Sequence, residues 1–148
     1  MSNMTPRLFS LALAGIVAVA FAAAAGSAGE RVALDAASIY VHDGDTIIVE
    51  RQRMRLVGID SPEVLRPRCD RERGLAFAAR DRLRELLDSA GVIELALTGD
   101  IDRYDRPLIA LYADGIDVRA PMLAEGLAVE WRPGRAAWIE RQRHWCGS

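Results

Sequence analysis

The chain has 148 residues, 27% of them charged and 51% apolar, with a formal net charge of −2. One domain of ordinary globular composition fits this, whereas collagen, long coiled coils and wholly disordered chains do not. A multi-span membrane protein is excluded, since a single apolar run approaches bilayer-spanning length. With 19 basic and 21 acidic residues, any grip on a polyanion must come from local clustering rather than a basic domain. Every basic residue is Arg, so each cation can fork onto a phosphate or carboxylate.

Residues 1–29 have the three parts of a secretory signal: Arg7, the apolar run Leu8–Ala25 and the small residues Ala22–Ala28. Cleavage is expected after Ala25 or Ala28, and an uncleaved inner-membrane anchor is the alternative. Either places the domain, residues 30–148, outside the cytoplasm, periplasmic or secreted. In that setting Cys69 and Cys146 are expected to form a disulfide. Closing so long a loop would stabilise the fold by about 4 kcal/mol in the chain-entropy model. Zinc is a poorer reading of two lone cysteines without a CxxC spacing.

In chain order, Ala37–His42 is β-compatible, Asp43-Gly44-Asp45 is a turn and Thr46–Glu50 a β-branched strand. Arg51-Gln52 is a second turn and Met54–Ile59 a third strand. Asp60-Ser61-Pro62-Glu63 breaks the pattern. Asp70–Leu87 has helical spacing, with Leu75, Ala79, Leu83, Leu86 and Leu87 on one face. Strands are expected from Gly91 to Leu97 and from Arg106 to Tyr112, followed by the tight turn Ala113-Asp114-Gly115. Val118–Glu125 reads as a short helix closed by Gly126, and the Arg- and Trp-rich tail carries some helix from Ala136 to Arg143. Three strands, a helix, two strands and a helix predict an α+β fold. Its expected form is a five-stranded OB-fold β-barrel with two to three helices.

Two groups of residues could carry chemistry. Asp45 and Asp60 fall at the ends of neighbouring strands, where two carboxylates, a backbone carbonyl and water suit a hard cation such as Ca²⁺. From these residues alone the plainer reading is favoured, in which Asp43 and Asp45 only shape a hairpin turn and Asp60 or Ser61 caps a helical turn begun by Pro62. Arg55, Glu63 and Arg106 supply two phosphate-binding cations and a free carboxylate, the inventory for phosphodiester hydrolysis. Taken singly, each arginine is better explained by a surface ion pair with one of the 21 acidic residues. His42 and His144 read as structural or exposed.

The segments Val41–Thr46, Met54–Glu63, Asp102–Arg106, Tyr112–Gly115 and Leu123–Ala128, in this order, resemble the staphylococcal nuclease (thermonuclease) family, in its short exported type. The resemblance covers roughly Ser38 to Trp131. It implies an OB barrel and Ca²⁺-dependent hydrolysis of DNA and RNA to 3′-phosphate products, with single-stranded or frayed substrate preferred. By position, it implies Asp45 and Asp60 as metal carboxylates, with Ser61 lending its carbonyl. Arg55 and Arg106 match the phosphate-binding arginines, Glu63 the general base, and Tyr104 a contact to the phosphate end of the nucleotide. Arg103 sits where a Lys is common. The chain departs from the pattern at Pro107, where Gly is usual, in the absence of the paired base-stacking tyrosines, and in a shortened C-terminal helix. Trp131 could stack on a base instead. A monomer without an obligate protein partner is expected. The competing function is a non-catalytic OB-fold module that binds nucleic acid or serves exopolysaccharide (succinoglycan) biosynthesis.

Overall fold

The computed structural model describes residues 30–147, so the expected export segment lies outside the described residues. The described residues form nine strands and three α-helices, and none of these helices is long and apolar enough to cross a membrane. The chain opens with β1 (Arg31–Leu34), a 3-10 turn at Ala36–Ser38 and β2 (Ile39–Asp43). The meander continues through β3 (Thr46–Val49) and β4 (Gln52–Leu56), and β5 (Ile59–Asp60) follows. Helix α1 (Asp70–Asp88) leads to β6 (Ile93–Ile101), β7 (Pro107–Ala113) and β8 (Ile116–Asp117). The last elements are α2 (Arg119–Ala124), β9 (Val129–Glu130) and α3 (Arg135–Cys146).

The main sheet runs β1-β6-β7-β4-β3-β2, with β8 attached to β7. Only the β4–β7 pair is parallel in this sheet. Strands β2, β3, β4, β7 and β6 therefore follow the expected OB order. Its two outer strands, β1 and β2, are neighbours in the chain, joined through a turn that Asp35 caps by accepting from the Ala37 N–H. One bent run, Arg31–Asp43, thus forms both edges and curls the sheet on itself, which leaves little edge to pair with another chain.

The core is the inner face of this sheet. Ile47, Leu56, Ile109 and Leu111 are fully buried, and burying each such side chain contributes about 1.5–3 kcal/mol. Helix α1 covers one end through Ala76, Ala79, Leu83 and Leu87, at the spacing of one helical face. Glu72 is the unexpected member of that stripe, also fully buried. Arg68 neutralises it from the preceding loop, its Nε donating to Oε2 at 3.0 Å and its Nη2 to Oε1 at 2.5 Å. Burial opposes ionisation of Glu72, but the Arg68 bonds win and hold its pKa below the usual carboxylate value. A Cys69–Cys146 disulfide closes a 77-residue loop, as expected from the export context, and joins the start of α1 to the end of α3.

Three boundaries differ from the sequence reading. The second hairpin turns at Glu50-Arg51, both in the left-handed region with φ 49° and 70°, the backbone that a two-residue hairpin of right-handed twist needs. The third strand is cut after Leu56. Gly58 (φ 78°) redirects the chain, and Ile59-Asp60 leaves the main sheet to pair with β9. The C-terminal helix begins at Arg135 and runs on to Cys146, where the disulfide and the fully buried Trp145 hold its last turn.

Gly44 sets how closely the first hairpin approaches α1. A Cβ placed there would lie 2.7 Å from Ala79 Cβ and 2.9 Å from Ser61 Cβ, closer than real carbon contacts allow. Gly44→Ala should therefore destabilise the protein by about 1–3 kcal/mol, the usual cost of overpacking. Urea unfolding measures this, and an unchanged midpoint would show that the hairpin tip is not confined.

Candidate nuclease site

The β2–β3 hairpin carries the first acidic group into the protein. Asp43 Oδ1 accepts from the Asp45 N–H at 3.3 Å, a local turn that Asp favours. Asp45 is only 2% exposed, and its acceptors are used. Oδ1 takes the Thr46 hydroxyl at 2.8 Å, while Oδ2 takes the Ser61 N–H at 3.0 Å and Arg55 Nη2 at 3.0 Å. The expected turn-shaping role therefore belongs to Asp43, and Asp45 is the side chain that reaches across to the next strands.

Asp60 arrives from β5, aimed by the break at Gly58. Its Oδ1 lies 2.7 Å from the same Arg55 nitrogen, and its Oδ2 lies 3.0 Å from Arg141 Nε. One cationic nitrogen thus bridges Asp45 and Asp60. Two carboxylates and the Ile59 carbonyl, which accepts from the same nitrogen at 3.1 Å, converge on one positive point, a donor set suited to a hard divalent cation. The residues present fit such an ion. Ser61 is buried beside them, its N–H committed to Asp45 and its Oγ without a hydrogen-bond partner.

Arg106 reaches the site from the opposite loop. Its Nε and Nη2 lie 2.7 and 2.6 Å from Asp102 Oδ2, and its backbone N–H also donates to Asp102. Asp102 accepts from Tyr104 N–H as well, so this one side chain folds the Asp102–Arg106 loop. Burial opposes it, yet these bonds hold the Asp102 carboxyl below its usual pKa. Arg106 Nη1 sits 3.5 Å from Thr46 Oγ1, which connects it to the Asp45 cluster. Pro107 is tolerated because it opens β7, the strand position where its missing N–H matters least. Arg103 donates to the Tyr104 hydroxyl at 2.6 Å and stacks on its ring.

These groups line one open cleft of about 1720 Å³, together with Glu63, Arg103, Tyr104 and Trp131. Tyr104 and Trp131 are 62% and 47% exposed, so both aromatic faces are available there. Among the expected metal, catalytic and substrate-binding residues, Asp45 alone lies behind the lining, against Arg55. Cys69 and Cys146 brace the structure beside Glu72, and with their sulfurs bonded to each other they offer no thiolate pair to a metal.

A family model described as staphylococcal nuclease homologue matches residues 53–142. The chain belongs to the staphylococcal nuclease homologue family. The match spans Arg55, Asp60, Ser61, Glu63, Arg103, Tyr104, Arg106 and Trp131, while Asp45 lies just before it, on the hairpin that packs against them. No curated protein is significantly similar to the chain.

The cleft of this staphylococcal nuclease homologue also holds residues that the sequence reading did not single out. Asp102 precedes Arg106 by four residues, a spacing that could have suggested a pair. Thr46 bridges Asp45 to Arg106, and its place directly after Asp45 was the only hint. Arg141 reaches Asp60 from a helix distant in sequence, so no local pattern could reveal it. His42 takes the structural role of the two expected for it, half-buried with Nε2 2.6 Å from Arg53 Nη2. Burial and the Arg53 charge lower its pKa.

Acidic crowding shows in the protonation of the site. Burial, then the Asp45 charge, pushes the Asp43 pKa up to about 8. Burial and Asp45 likewise raise Asp60, and desolvation with Asp45 and Asp60 raises Glu63 at the cleft rim. A carboxyl raised in this way contributes stability fully below its unfolded value of 3.8 and loses it as pH rises through about 8. With chelator present, unfolding free energy should therefore fall over that interval, and Asp43→Asn should flatten the fall while keeping the turn acceptor. Urea titrations at a series of pH values test this; parallel wild-type and variant curves would contradict it.

Proposed function

We propose that this protein is an exported Ca²⁺-dependent nuclease that hydrolyses phosphodiester bonds of DNA and RNA. The observation that carries the reading is the convergence of Asp45 and Asp60 on one positive nitrogen, with Arg55, Arg106 and Glu63 along the same cleft. Asp45, Asp60 and the Ser61 carbonyl would hold the cation. Bound there, Ca²⁺ would supply positive charge to the phosphate oxygens as negative charge grows on them. A periplasmic or secreted location agrees with the disulfide, a bond that persists in oxidising compartments.

The protein's own groups would do the remaining work. Arg55 and Arg106 present planar forks that match non-bridging phosphate oxygens and stabilise the transition state. Glu63 takes the proton of the attacking water as the new phosphorus–oxygen bond forms, and the ester bond breaks with its leaving oxygen taking a proton from solvent water in the open cleft. Its raised pKa makes it a better proton acceptor than an ordinary carboxylate, provided it is ionised. Tyr104 and Arg103 would meet the phosphate end of the substrate, and Trp131 would stack on a base. An open cleft with exposed aromatic faces suits a single-stranded or frayed strand better than an intact duplex. A monomer suffices, because every proposed group lies on one chain.

Single-stranded DNA should be cleaved in Ca²⁺ and spared in chelator. Glu63→Gln and Arg55→Ala should each lower kcat by about 10²-fold or more. Absence of cleavage by folded, oxidised protein would overturn the enzyme reading in favour of a binding module. Capture of the substrate should also depend weakly on salt, because the net charge is −2 and few phosphates are neutralised. Kinetics between low and physiological salt should show a change of no more than roughly tenfold in kcat/KM, and a loss of several orders of magnitude would contradict this.

A further inference from the structure

We propose that Arg141 is a positioning residue for Asp60, delivered to the cleft by the disulfide-closed helix α3, and that it thereby sets the affinity of the carboxylate pair for a divalent cation. The inference rests on the cation reading above and concerns a residue outside the two phosphate-binding arginines.

Asp60 divides its oxygens between two arginines. Oδ1 meets Arg55 Nη2, the nitrogen that Asp45 Oδ2 also meets, while Oδ2 is taken by Arg141 Nε at 3.0 Å. Arg141 is itself held from a second side, since its Nη1 donates to the Arg132 carbonyl at 2.9 Å. Its side chain is only 14% exposed. The terminal torsion of an aspartate is soft, and Asp60 lies in a strand of two residues whose ladder partner is β9. A partner on Oδ2 therefore fixes which way Oδ1 points. Outer-shell bonds of this kind orient metal-binding carboxylates and commonly change metal affinity 10–100-fold.

Helix α3 has little apolar hold of its own. Gly134 stands at its N-cap without a side-chain bond, and Trp145 is its one fully buried residue. Next to Trp145, Cys146 is tied to Cys69, the N-cap of α1. Helix α1 in turn carries Ala79, against which the Gly44 hairpin packs. The disulfide thus couples the helix bearing Arg141 to the one that seats the hairpin of Asp45.

Charge alone predicts the opposite sign. An arginine near the site repels a cation, so a mere counter-ion would tighten binding when removed, whereas a positioning residue weakens it. Isothermal titration of the purified protein with Ca²⁺ reads the difference without turnover. Arg141→Gln should weaken Ca²⁺ binding about tenfold or more. Arg141→Lys should recover part of that, since it keeps a donor for Asp60 but cannot also reach the Arg132 carbonyl. Reducing the disulfide in folded wild type should weaken binding in the same direction and add little to Arg141→Gln, the non-additivity expected of one linked unit. Unchanged or tighter binding by Arg141→Gln would overturn the proposal, and a fully additive effect of reduction would overturn the role of the disulfide. Wild-type protein that does not bind Ca²⁺ at all would overturn the cation reading itself and this inference with it.

Discussion

Asp45 and Asp60 are two like charges held against each other at the margin of a β-barrel, and much of the surrounding structure answers that repulsion. Left alone, such a pair would either take up a proton or push its strands apart. Here Arg55 bridges them, the Ser61 N–H and Thr46 hydroxyl share the load on Asp45, and Arg141 takes the outer oxygen of Asp60. What is left unanswered appears at Asp60 itself and at Asp43 and Glu63 beside the pair, whose pKa values are raised by burial first and by the Asp45 charge second. Acidic crowding of this kind works against stability and in favour of a positive ligand, a common arrangement at sites that do chemistry.

The backbone makes the crowding possible at two glycines. Gly44 lets the hairpin tip lie against Ala79 and Ser61, too close for any Cβ. Gly58 turns the chain at a positive φ, so that Asp60 leaves the main sheet and faces Asp45 instead of continuing along β4. Neither residue has a side chain to offer a substrate, yet each decides where a carboxylate ends up. Asp102 does the same for Arg106, folding its loop through four bonds to a single side chain.

Stability and site are joined at the start of α1. Cys69 caps that helix, Glu72 lies buried in its first turn beside the disulfide, and Arg68 reaches back to neutralise it. A buried ion pair is weak evidence for stability in itself, but removing one partner is costly. The cluster therefore serves better as a fixed junction, at which the loop after Glu63, helix α1 and helix α3 meet. Its position explains how a C-terminal helix with a single fully buried side chain remains beside the cleft.

Much of this protein could be read from its residues alone. The α+β class, the hairpin at Asp43-Gly44-Asp45, the helix from Asp70 and the Cys69–Cys146 bond follow from local periodicity, turn chemistry and cysteine arithmetic. The motif run from Val41 to Ala128 carried the family, since its residue types recur in a set order. Short-range patterns stop where contacts become long-range. Nothing local foretold that β1 and β2 would form the two edges of one sheet, that Ile59-Asp60 would desert β4 for β9, or that Glu72 would be buried. Nor could it show that Arg141 meets Asp60, or that Arg55 stands between two carboxylates. Those facts depend on packing and charge balance among segments far apart in the chain, and only the tertiary structure decides them.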